Sequence, residues 1–225
     1  MFSKFRALFA SENLLDSAFK TTLTMLEFDR QMYDASCHTL RHSDSDELPF
    51  DVRGMDRKIN KYERQVRRQV LTHLTISGTQ DLAPGLALVS IVIDVERIGD
   101  YTKNIVDIAT KHPKKLHGGT YEGTLAEIET AIDAVFPKVI QSLKTQDADL
   151  GREVMGLEED IGKKAESIVT GLMMESDPNL GCSDSVCLGM YARFLKRINA
   201  HLTNIASSQV NPFPRISFRE KRVRE

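Results

Sequence analysis

Two carboxylates, Glu96 and Asp100, stand four residues apart in the stretch DVERIGDYTKNIVD, residues 94–107, and Asp107 follows one heptad after Asp100. On a helix this spacing aligns the three acids along one face, several ångströms apart. Like charges so placed repel by a few tenths of a kcal/mol in an isolated helix, so a cation is expected to neutralise them. A hard metal ion held by oxygen ligands would do so. An internal salt-bridge network would also serve, with Lys103 three residues from Asp100 and four from Asp107, and Arg97 available to a neighbouring helix. Gly99 lies between the first two acids. Inside a helix glycine costs about 1 kcal/mol relative to Ala, a penalty tolerated where something must approach the backbone closely.

A hundred residues later the frame returns without its acids. Arg97, Ile98, Asn104 and Ile105 recur as Arg197, Ile198, Asn204 and Ile205, while Lys196 and Ala200 replace Glu96 and Asp100. At a similar offset Ile59, Lys61 and Val66 face Ile161, Lys163 and Ile168. These matches point to a duplicated unit.

The elements that must position the acids are helices. Apolar residues follow helical periods in six blocks: 12–41 with Ser11 as candidate cap, 51–76, a third from the SGTQD stretch to 111, 121–145, 147–175 and 183–210. Val52, Met55, Ile59, Tyr62, Val66 and Val70 keep the three-four spacing of a helix packed lengthwise in a bundle. Pro84 falls in a first turn, where it is tolerated, whereas Pro137 sits mid-pattern and is expected to kink its helix. The predicted fold is therefore all-α, a tandem repeat of two three-helix bundles at 12–112 and 120–210, divided by HPKKLHGG. An N-terminal amphipathic segment, 1–11, and a basic tail, 211–225, flank them.

Composition narrows the functional classes. A net charge of -2 gives no electrostatic footprint for nucleic acid, so no nucleic-acid partner is expected. Three cysteines without metal or CxxC spacing suit a reducing cytoplasm, where they are expected to be buried thiols. The longest apolar run, LALVSIVI, is far shorter than a bilayer span. The first residues place Phe2, Phe5, Leu8 and Phe9 on one face, which suits a membrane surface, a partner or the rest of the chain. Arg53, Arg57, Lys61, Arg64 and Arg68 form a stripe along the second helix, open to an acidic partner, phosphate groups or an anionic membrane, or simply to solvent. No HExxH, Walker loop, nucleophile elbow or Glu-x-x-His pair is present, so no enzyme is predicted. His201, beside the repeat motif, is expected to pack and not to ligate.

The residues ERIGDYTKNI late in a third helix, DRKINKYE opening a second helix and the duplication of the whole unit resemble the PhoU family of phosphate-uptake regulators, over about residues 12–209. The resemblance implies tandem three-helix bundles with iron or zinc clusters held by E/DxxxD carboxylates in each half. Carried onto this chain, the metal residues are Glu96 and Asp100, with Asp56 from the second helix, where Asn60 replaces a second acid. The other half departs from the pattern, with Lys196 and Ala200 in the last helix and Gly162 one turn after Glu158, so iron or zinc is expected at the first repeat only. The implied role is a non-enzymatic cytoplasmic regulator of phosphate uptake and phosphate homeostasis, peripheral at the membrane and binding a membrane phosphate transporter or its sensor kinase. A homodimer is among the assemblies the resemblance leaves open. The alternatives are a carboxylate-bound iron or zinc metalloprotein and an accessory subunit of another ion transporter.

Overall fold

Asn13 opens the first helix, its side-chain oxygen accepting the Leu15 N–H at 3.0 Å in an N-cap bond. The computed structural model describes residues 13–44, 47–48, 50–77, 79–112, 114–174 and 177–220. The predicted cap Ser11 and the amphipathic segment 1–11 lie outside them, as do residues 221–225 of the tail. Six long helices follow: α1 (Leu14–His42), α2 (Val52–Ser77), α3 (Leu82–Lys111), α4 (Glu122–Thr145), α5 (Ala148–Met174) and α6 (Cys182–Ser207). No strand occurs among the described residues.

Local chemistry sets the boundaries. Asp51 accepts the Gly54 N–H at the start of α2, and Asp147 accepts the N–H groups of Asp149 and Leu150 at the start of α5. Gln146, left-handed at φ 55°, terminates α4. Helix α4 runs through Pro137 as one element, and α6 ends at Ser207, three residues before the predicted Val210, in a turn closed by Asn211 N–H to Ser207 O.

Helices α1, α2 and α3 pack on one another, as do α4, α5 and α6, and the two units meet through α3 against α6 and α1 against α4. Both meetings are antiparallel: Asp94 on α3 reaches His201 and Asn204 late in α6, and Tyr101 reaches Arg197. Glu27 on α1 meets Lys144 at the end of α4, while Arg41 meets Glu122 at its start. The buried apolar side chains form one continuous core through both units. The connection is anchored too: Leu116 is fully buried and donates its N–H to Leu40 O at 2.9 Å. Arg41, itself buried, donates to Leu116 O, Glu122 and Glu129, and Tyr191 of α6 donates to Glu129 at 2.8 Å. His201 is buried, with Nδ1 2.7 Å from Asp94 Oδ1 and its ring stacked on Tyr101. The cysteines are all free, and none is fully buried as composition suggested: Cys37 and Cys187 are half-buried, and Cys182 is exposed at the first turn of α6.

Candidate functional site

Helix α3 turns Glu96, Asp100 and Asp107 toward the groove it forms with α2, and α2 contributes Asp56 to the same groove. Lys103 joins them: its Nζ lies 2.8 Å from Asp100 Oδ1 and 3.2 and 3.3 Å from the two Asp56 oxygens. Arg97 is 3.2 Å from Asp100 Oδ2 and 3.7 Å from Glu96 Oε2. Asp107 pairs with Arg53 of α2, and not with Lys103. The spacing thus identified Lys103 and Asp100 as partners but assigned Lys103 the wrong second carboxylate, because only the packing of α2 brings Asp56 within its reach.

A further carboxylate, Asp29 of α1, lies beneath this cluster. It is completely buried, and neither oxygen has a hydrogen-bond partner. Burial first, then the negative charges of Glu96 and Asp56, push its pKa well above the usual carboxylate range. Burial, followed by repulsion from Asp100, likewise raises Glu96, against the pull of Arg97. Lys103 stays charged: burial opposes its charge, but the hydrogen bonds to Asp100 and Asp56 carry its pKa above the ordinary lysine value. Sequence reasoning missed Asp29, although a signal existed. Ala18, Thr22, Met25, Asp29, Met32 and Ser36 are all buried at three-four spacing, so an acid stands on the seam of α1 where an apolar residue belongs.

The arrangement does not fit a resident metal as it stands. The three predicted ligands are brought together, but an ammonium and a guanidinium bond their oxygens, and among the described residues no three His, Cys, Asp or Glu side chains converge at ligand spacing. What the cluster can do is hold charge in a partly buried groove.

The second unit has a different solution at the same register. Ala200, Thr203 and Ser207 stand where Asp100, Lys103 and Asp107 stand in the first, and Met155 and Glu158 where Arg53 and Asp56 stand. These five line a cavity of about 570 Å³ roofed by Ser217, Phe218, Arg219 and Glu220. The tail folds back as a strap. Ser217 N–H donates to Ser207 Oγ at 2.8 Å, Asn211 to Phe218 O, Arg152 to Glu220 at 3.0 Å and Arg219 to Glu159 at 2.9 Å. Ile216 is buried beneath it. Lys196 pairs with Glu166 of α5. Ala200 and Ser207 thus replace the acids of the last helix where the chain's own tail lies, while Glu158 keeps an acid at the register of Asp56.

The basic stripe is on the outside of the molecule. Arg53, Arg57, Lys61, Arg64 and Arg68 are all exposed. Arg53 and Arg57 pair with Asp107 and Asp51, and among the described residues no carboxylate lies within ion-pair distance of Lys61, Arg64 or Arg68. No described helix is long and apolar enough to cross a membrane.

Comparison with known proteins agrees with this architecture. The family model for the PhoU domain matches residues 22–109, the span of α1 to α3 that holds the charged cluster. The chain is 24% identical over 165 residues, 71% of its length, to a phosphate-specific transport system accessory protein PhoU homolog of Synechocystis, covering 72% of that protein. Among solved structures it resembles PhoU of Pseudomonas aeruginosa, with TM-score 0.76 and 21% identity, over 87% of this chain and 95% of the other. It also resembles the phosphate transport system regulatory protein PhoU of Streptococcus pneumoniae, with TM-score 0.74 and 14% identity, over 87% and 92%.

Proposed function

We propose that this chain, whose residues 22–109 match the PhoU domain model, is a non-enzymatic regulator of phosphate uptake and homeostasis that acts in the cytoplasm by contacting a membrane phosphate transporter or its sensor kinase. The Synechocystis relative is named as an accessory protein of phosphate-specific transport, and this supports the transport setting. The observation that carries the mode of action is the stripe on α2, where Lys61, Arg64 and Arg68 are exposed and, among the described residues, without carboxylate partners, on the outer helix of the matched domain. A one-sided row of unpaired cations steers association toward an acidic surface. No step of chemistry is assigned to the charged cluster, since its oxygens are bonded to Lys103 and Arg97.

Charge reversal at Lys61, Arg64 and Arg68 tests the reading. The native protein should co-sediment with membranes containing the phosphate transporter at low ionic strength and be released as salt rises, because such contacts are screened. The reversed variant should remain in the supernatant. If it co-sediments as well as the native chain, the stripe is a solvated face and the proposal fails.

A further inference from the structure

We infer that Lys103 is the resident cation of the α2–α3 groove, an ammonium in the position that a carboxylate-bound metal would take, so that Asp56 and Asp100 are held together by the chain's own cation without metal. This inference does not rest on the regulatory reading above. Three observations carry it. Lys103 Nζ bridges two helices, with Asp100 on its own and Asp56 on α2, at 2.8 to 3.3 Å. The other acids of the groove also face cations of the chain: Glu96 lies beside Arg97, which it shares with Asp100, and Arg53 pairs with Asp107. Asp29, completely buried against the same groove, has no cation within bonding distance.

The geometry also explains why an ammonium suffices. A metal cluster gathers many oxygens around concentrated positive charge, whereas here two carboxylates converge on one monovalent head and the third buried acid is held apart. A divalent ion entering the groove would have to displace Lys103 from two carboxylates and share the site with Arg97. Removal of the ammonium should open the place, leaving Asp56 and Asp100 facing each other, with Asp29 beneath.

The experiment uses the full chain stripped with chelator and titrated with zinc(II) and manganese(II), following thermal unfolding and metal stoichiometry. The native Tm should not respond to either ion, and Lys103→Arg should behave as native. Lys103→Met should lose roughly 5 °C in Tm at neutral pH and recover part of that loss when metal is added. Adding Asp56→Asn should abolish the recovery. The inference is overturned if native protein takes up zinc stoichiometrically and Asp56→Asn removes that uptake, or if Lys103→Met melts with the native protein. Should Lys103→Met fail to fold, the pair Lys103→Met with Asp100→Asn keeps the net charge of the cluster and should fold; failure of that pair also overturns it.

Discussion

Gly99 of α3 faces the buried carboxyl of Asp29 on α1 so closely that a Cβ at position 99 would lie 3.0 Å from Asp29 Oδ1 and 3.4 Å from Ile59 Cδ1. The missing side chain is the room that Asp29 occupies. Gly99→Ala should gain about 1 kcal/mol of helix propensity and lose it again to this contact, since Asp29 has no exposed direction in which to move. In an Asp29→Ala background the contact is gone, so the same substitution should be stabilising. A double-mutant cycle by chemical denaturation should show coupling of about 0.5–2 kcal/mol, and strictly additive effects would contradict the packing described.

Asp29 also gives the fold a pH dependence of definite sign. Its pKa in the folded chain is raised, above all by burial, over the unfolded value of about 3.9. Between those two values the folded chain keeps a proton that the unfolded chain releases, so stability from this group falls as pH rises. Asp29→Asn removes that slope. Its Tm should gain on the native protein as pH increases from about 4 toward the folded pKa, and a difference that shrinks with rising pH would refute the assignment.

Arg41 ties α1 to the second unit. With its side chain only 6% exposed, it bonds Leu116 O, Glu122 and Glu129, and Glu129 also accepts from Tyr191. Truncation leaves Glu129 partly buried without its cation, a change that costs roughly 2–4 kcal/mol. Arg41→Ala should therefore lower the urea midpoint of the whole chain in one transition, because the core is continuous. A separate early transition confined to α4–α6 would show that the units are energetically independent.

Removing the strap should have a local effect. In a chain ending at Asn211, amide hydrogen exchange should accelerate in the last turns of α6 and the facing turns of α5, while α2 and α3 keep their protection. Unchanged exchange near Ser207 would mean that the strap contributes no stability there.

Much of this was legible in the residues. Six helices, the repeat and the shared face of Glu96 and Asp100 follow from periodicity and spacing, because side-chain direction on a helix is set by local geometry, whereas Asp56, on another helix, was indicated only by the resemblance to the PhoU family. What was not legible depends on the register between helices. Whether Lys103 turns to Asp56 or Asp107 is decided by where α2 lies, and no spacing along α3 records that. The single core was hidden for the same reason: the residues of α3 and α6 that join the units look like ordinary bundle positions. The tail, rich in Arg and carrying exposed Phe218, gave no sign that Arg219 and Glu220 find Glu159 and Arg152 about sixty residues away in sequence.

The strap makes a repeated molecule unequal. Duplication creates two equivalent grooves, and a protein with two open grooves can bridge two partners or link copies into chains. Here the groove of the second unit is roofed by the tail of the same chain, while that of the first holds the charged cluster beside the exposed cations of α2. By this device two like units present two different surfaces, one a charged groove and the other a face roofed by the chain's own tail.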